Sequence, residues 1–200
     1  MVLKICGITN AEDAAAAIEG GATAIGFNFW PRSPRYTSPE QAAQIASGEA
    51  IRRVGVFVNE APARIAEIAH LARLDVAQLH GDEQPVAYPA GMTVWKAARV
   101  SAGIDFSAYD DSPAEALVLD GPAGELYGGS GQTFDWGLAA AARKRIILAG
   151  GLDASNVAQA VAAAHPWGVD ACSRIESGPG KKDHRKMSEF LQAARAALRA

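Results

Sequence analysis

Cysteine is scarce: the 200 residues hold only two. A single pair cannot brace a small secreted scaffold, so a disulfide framework is excluded. Long apolar runs are also lacking. None approaches the ~18 residues of a membrane span, and the first residues, which include Lys4, show no apolar core of a signal peptide. There is no excess of positive charge. Lysine and arginine number 19 against 22 acidic residues, and they are scattered, so neither nucleic acid nor an anionic membrane is implied as a partner. The four histidines, at 70, 80, 165 and 184, have no metal-ligand spacing. His70, His165 and His184 fall on or beside expected helices and read as surface residues. These absences leave a soluble, reduced, cytoplasmic protein without a metal centre.

The composition, 49% apolar and 20% charged, suits one globular core, and a single domain over residues 1–200 is expected. Short apolar runs recur near 2–6, 24–29, 53–58, 76–79, 93–98, 115–120, 145–149 and 168–172. Helical stretches are expected over 10–20, 39–48, 61–72, 82–88, 135–143, 153–164 and 183–198. Asn10, Ser38 and Asp153 are the start signals. Eight strands spaced by helix-length connections imply parallel pairing through crossovers. The fold class is therefore α/β, most simply a closed (β/α)₈ barrel, with an open doubly wound sheet as the rival. No G-x-G-x-x-G follows the first strand, which weakens the dinucleotide-binding version of that rival.

Alternation along each strand sorts residues into two faces. Leu3 and Ile5, Val54, Val56 and Val58, Ala77 and Leu79, Leu117 and Leu119, and Val169 and Ala171 share the face expected under the helices. The opposite face collects Lys4, Cys6, Arg53, Gln78, His80, Asp120, Asp170 and Cys172. In a barrel that face points inward, where polar groups need partners or a purpose. Lys4 and Asp170 lie on strands that closure would make neighbours, which predicts a buried ion pair. Cys6, His80 and Asp120 end their strands, and strand C-termini form the catalytic face of this fold.

The loops add a ligand class. AGGLDASN (149–156) puts two glycines ahead of a helix, and SRIESGPGKKD (173–183) follows the last strand. Backbone N–H groups at such places cradle phosphate, which predicts a small phosphorylated substrate. Arg32 and Arg35 stand at the mouth after the second strand, where a guanidinium can grip a carboxylate in a fork. The glycine-rich run 121–136 is placed to cover the site. The chemistry left to these residues is cofactor-free acid–base catalysis by Cys6, Asp120 and His80.

Seven segments carry a family resemblance: KICGIT (4–9), GFNFWPRSPRY (26–36), VGVFVN (54–59), QLHG (78–81), LYGGSGQTFDW (126–136), AGGL (149–152) and PGKKD (179–183). Their order and spacing resemble phosphoribosylanthranilate isomerase, a (β/α)₈ barrel of tryptophan biosynthesis. The resemblance implies an Amadori rearrangement of N-(5′-phosphoribosyl)anthranilate to 1-(2-carboxyphenylamino)-1-deoxyribulose 5-phosphate, needing no metal or cofactor. It implies Cys6 as general base and Asp120 as general acid. Arg35 would hold the anthranilate carboxylate, and Gly150, Gly151 and Ser173 the phosphate. His80 would stand near the mouth, with Arg174 beside the phosphate. The expected assembly is a monomer or homodimer.

The chain departs from the family pattern after the last strand. Cys172-Ser173-Arg174-Ile175-Glu176 stands where S-S-G-V-E is usual, so an arginine replaces a glycine. Were a positive φ required there, Arg174 would be strained. Two rivals stay open. A related sugar-phosphate isomerase of histidine biosynthesis would carry aspartate where Cys6 stands. A phosphometabolite-binding protein without catalysis would have no need of Cys6 opposite Asp120.

Overall fold

The computed structural model describes residues 1–45, 48, 50–84, 88–121 and 133–200. Eight parallel strands close into a barrel in chain order, with β1 hydrogen-bonded to both β2 and β8. They are β1 (Val2–Cys6), β2 (Ala24–Asn28), β3 (Arg52–Phe57), β4 (Val76–Leu79), β5 (Thr93–Arg99), β6 (Ala116–Asp120), β7 (Arg145–Leu148) and β8 (Gly168–Ala171). A short antiparallel hairpin, β9 (Glu176–Gly178) and β10 (Lys181–Lys182), follows β8. Among the described residues, five α-helices pack outside: α1 (Ala11–Glu19), α2 (Pro39–Ile45), α3 (Pro62–Ala72), α4 (Val157–Ala164) and α5 (His184–Ala197).

Local chemistry starts these helices. Asn10 Oδ1 accepts the Asp13 N–H at 2.8 Å and so caps α1. Ser38 Oγ accepts the Gln41 N–H while Gln41 Oε1 accepts the Ser38 N–H, a reciprocal capping box ahead of α2. Asp183 caps α5 by accepting the Lys186 N–H at 3.1 Å.

Three helical expectations change. Residues 82–84 are bends and loop, and 85–87 lie outside the described residues. Residues 135–143 make a 3₁₀ helix, Trp136–Ala141, started by Asp135. The stretch 153–164 turns first over 154–156, and α4 begins only at Val157. The two glycines therefore enter a turn, not a helix N-terminus.

The hydrophobic material forms two layers. Outside the sheet, Leu3, Ile5, Phe27, Phe57, Leu79, Leu117, Leu119 and Val169 meet Ala17, Ile65, Phe190 and Leu191 of the helices. Each such side chain contributes roughly 1.5–3 kcal/mol when fully buried. Inside the barrel lie Val2, Ala24, Val54, Val76, Trp95, Ala116, Val118 and Ile147. Trp95 is fully buried and meets Trp167 edge to face at 6.1 Å. Apolar packing thus fills the barrel's lower half and leaves its C-terminal mouth to polar residues.

One face assignment is corrected. Val54 belongs to the interior, and Gly55 and Phe57 face the helices. Arg53 is not an inward residue. Register explains this: Gly26 opposes Val54, and Val54 opposes Val76, so inward parity passes from strand to strand.

Candidate active site

Cys6 ends β1, and the backbone turns at once at Gly7, φ +71°. A Cβ on Gly7 would lie 2.7 Å from Arg35 Cδ and 3.0 Å from Cys172 Sγ, so a side chain is excluded on space as well as conformation. Across the strand, a Cβ on Gly26 would lie 2.9 Å from Cys6 Sγ and 3.1 Å from Lys4 Nζ. Two glycines thus clear the volume around the Cys6 sulfur.

Beneath Cys6, Lys4 Nζ donates to Asp170 Oδ2 at 2.6 Å, the ion pair expected from the sequence. Lys4 is fully buried. Burial alone would drive off its proton, but the Asp170 carboxylate outweighs it and keeps the ammonium above the ordinary lysine value. Beside Cys6 stands Cys172, close enough that the two thiols shift each other's proton affinity. Both are unoxidised and partly buried.

His80 follows β4 and Asp120 ends β6; both are buried. His80 Nε2 lies 3.5 Å from Asp120 Oδ2. Gln78 Nε2 lies 3.2 Å from His80 Nδ1. With the amide assigned as donor there, a neutral imidazole carries its proton on Nε2, a buried atom that makes no hydrogen bond among the described residues. Asp120 Oδ1 accepts the Gly121 N–H at 2.8 Å, which fixes the carboxyl.

Arg35 reaches in from the loop after β2. Its Nε donates to Glu176 Oε1 at 2.9 Å and its Nη2 to Glu176 Oε2 at 2.8 Å, a bidentate fork. Lys182 Nζ, also buried, donates to Glu176 Oε1 at 2.8 Å. Burial would raise the Glu176 carboxyl, but Arg35 and Lys182 together hold it below its ordinary range. Neither Glu176 nor Lys182 is a candidate site residue on the sequence alone. Their roles arise from tertiary pairing, and no spacing announces it. Arg32, by contrast, lies exposed over the Trp30 ring at 5.4 Å.

The loops after β7 and β8 are adjacent. Gly150 and Gly151 adopt φ of +79° and +61°. Asn156 staples their loop, accepting the Asp153 N–H at 2.9 Å and donating to the Gly151 carbonyl at 2.8 Å. Ser173 opens a 3₁₀ turn, Ser173–Ile175. Arg174 sits within that turn and is absent from the positive-φ residues, so it replaces glycine without strain. Its Nη1 donates to Asp153 Oδ2 at 3.1 Å and bridges the two loops. Within the glycine-rich run 121–136, residues 122–132 lie outside the described residues.

The mouth therefore gathers a thiol, a carboxyl with an imidazole, a held guanidinium and two adjacent loops on six strand ends. Comparison with known proteins points the same way. A family model for N-(5′phosphoribosyl)anthranilate (PRA) isomerase matches residues 3–193. The N-(5′-phosphoribosyl)anthranilate isomerase of Solibacter usitatus is 70% identical over 198 residues, covering 99% of each chain. The crystal structure of phosphoribosyl anthranilate isomerase from Thermotoga maritima is 40% identical, with a TM-score of 0.88 over 98% of this chain and 100% of that one. Another solved structure holds the isomerase in complex with reduced 1-(o-carboxyphenylamino)-1-deoxyribulose 5-phosphate. It is 38% identical, with a TM-score of 0.86 over 98% of this chain and 100% of that one. The chain belongs to the N-(5′-phosphoribosyl)anthranilate isomerase family.

Proposed function

We propose that this chain rearranges N-(5′-phosphoribosyl)anthranilate to 1-(2-carboxyphenylamino)-1-deoxyribulose 5-phosphate, a step of tryptophan biosynthesis, by general acid–base catalysis without a cofactor. What supports the assignment of roles above all is that Cys6 and Asp120 end β1 and β6 and share one mouth.

Asp120, protonated, gives its proton to the furanose ring oxygen. The C1′–O bond breaks, and the nitrogen lone pair makes the C1′=N iminium. Cys6, as thiolate, then takes the proton from C2′. The C–H pair forms C1′=C2′, and the iminium π pair returns to nitrogen. Ketonisation moves a proton from the C2′ hydroxyl to C1′. Atoms and electrons balance within the substrate, and no outside oxidant or reductant is called for. His80, with Nε2 3.5 Å from Asp120 Oδ2, stands beside that carboxyl.

Arg35 retains Nη1 outside its fork with Glu176, free to meet the anthranilate carboxylate end-on. Gly150, Gly151, Ser173 and Arg174 would hold the phosphate. The ligand of the solved complex carries a carboxyphenyl group at one end and a phosphate at the other, which suits this two-ended arrangement. A cytoplasmic setting suits two thiols kept reduced.

Fluorimetric consumption of N-(5′-phosphoribosyl)anthranilate by purified protein tests the activity. Cys6→Ser raises the side-chain pKa far above neutrality. Turnover should fall at least ~10²-fold, the low end of what a general base supplies, while affinity for a product analogue persists. Near-full turnover in Cys6→Ser would place the base elsewhere. Binding without turnover in the unmodified protein would favour the non-catalytic rival.

A further inference from the structure

We infer that Cys172 is a positioning residue for the reaction: it holds the proton that Cys6 must shed, so that the two thiols work as a dyad carrying one proton and one negative charge. The inference rests on the reading of Cys6 as base.

Strand register brings the pair together. β1 and β8 pair in parallel from Val2 opposite Gly168 to Ile5 opposite Ala171. Carried one position further, that register brings Cys6 beside Cys172, the residue after β8, whose Sγ lies 3.0 Å from a Cβ placed on Gly7, next to Cys6 in the chain. A thiolate needs a positive neighbourhood, and Cys172 has the better one. Lys182 Nζ lies 3.8 Å from its Sγ and 3.4 Å from its carbonyl oxygen. Arg35 lines the same spot, since one Cβ placed on Gly7 would touch both Arg35 and Cys172. When protonated, Cys172 has an acceptor too, because Glu176 Oε1 lies 4.0 Å from its sulfur. The facing groups are thus Cys6 and Lys4 from β1, Arg35 from the loop after β2, Asp170 from β8, Glu176 from β9 and Lys182 from β10. The positive charge nearest Cys6, on Lys4, is already matched by Asp170 at 2.6 Å.

The ionisation order follows. The neighbouring Cys6 thiol, then Lys182 and Arg35, overcome burial and bring Cys172 down to about 6. The same pairing, with burial, pushes Cys6 up against the pull of Lys4. On this inference, with Lys182 Nζ 3.8 Å from the Cys172 sulfur, the resting charge is on Cys172 and Cys6 is left a thiol. Moving one proton from Cys6 Sγ to Cys172 Sγ converts Cys6 to the thiolate and Cys172 to the thiol, with no net change of charge. A substrate carboxylate arriving at Arg35 offsets part of the positive field that favours Cys172. An iminium at C1′ attracts charge to Cys6. Both push the proton the required way, so the base is formed when substrate is present. The macroscopic values belong to the pair.

Thiolate absorbance at 240 nm and the pH profile of kcat/KM provide the test, on the unmodified protein, Cys172→Ser and Cys6→Ser. The unmodified protein should show one thiolate at pH 7, and Cys6→Ser should keep it. Cys172→Ser should show none there. Its acid limb should move up by about one pH unit or more, with turnover at pH 7 at least tenfold down and recovering towards pH 9. A purely structural role would lower turnover equally at every pH, and that result overturns the dyad. So does an unmodified protein with no thiolate at pH 7, a measurement that stands even if Cys172→Ser does not fold. If Cys6→Ser keeps its turnover, the base reading fails. If Cys6→Ser is inactive while the acid limb of Cys172→Ser stays put, only the dyad fails.

Discussion

Arg35 waits in the site already held. Its fork on Glu176, itself gripped by Lys182, fixes the guanidinium before any ligand arrives. On the proposed reading it contributes mostly to binding, because the carboxylate it would meet does not change during the reaction. Arg35→Ala should therefore raise KM about tenfold or more and change kcat much less, as steady-state kinetics will show. An unchanged KM would count against the clamp. Arg174 makes the contrasting case. Its bridge to Asp153 is half-exposed and worth little to stability. If its side chain turns to the phosphate instead, Arg174→Gly should raise KM severalfold and weaken inhibition by inorganic phosphate. Equal or tighter binding in that variant would reduce Arg174 to a tolerated replacement.

At the scale of elements, the carboxylate of Asp13 ties α1 to the end of the chain. It accepts from the Asn10 amide and the Lys182 N–H, each at 2.8 Å, and lies 2.8 Å from His184 Nε2. Asp13→Ala strands the buried Lys182 backbone donor in β10 and should cost about 2–3 kcal/mol in urea unfolding. A loss under 0.5 kcal/mol would show water replacing the carboxylate. Nothing in the sequence near Asp13 announces this role beyond its capping partner Asn10. The strands were easier to read. β1, β4, β6 and β8 place polar residues on one parity only, so their faces were legible. β3 was not, because a parallel strand covered on both sides is apolar on both. Val54 and Val56 look like Phe57 in pattern, and only the register with β2 and β4 separates them. The polarity of Arg53 misled for the same reason: it enters low in β3, where its backbone N–H bonds Asp75 Oδ2 at 2.7 Å. Cys6, His80 and Asp120 were legible as strand-ending residues. Glu176 was not, since it meets Arg35 across 141 residues of sequence.

For the molecule as a whole, Glu176 links the site to acid stability. Its folded carboxyl is held below the ordinary value near 4.5, against burial, by Arg35 and Lys182. The folded state thus binds the proton less readily than the unfolded chain. The stabilisation is complete above the unfolded value and disappears as pH falls through the lower folded one. Glu176→Gln removes that dependence. The gap in urea midpoint between the unmodified protein and this variant should be widest above about pH 5 and should narrow as the pH drops towards 3. A gap constant across that range would show that the carboxylate charge contributes nothing there.

Closure of β1 onto β8 also sets a timetable. Lys4 and its partner Asp170 are 166 residues apart. At ordinary rates of synthesis, about 5–20 residues per second, roughly 10–30 s separate their appearance on the ribosome. The Cys6 sulfur is among the first atoms made, and Asp170 and Cys172 are among the last. Throughout that interval Cys6 belongs to a nascent chain with no barrel to shelter it, and its chemistry is that of an ordinary thiol. On the proposed reading, its catalytic character arrives when the final strand docks.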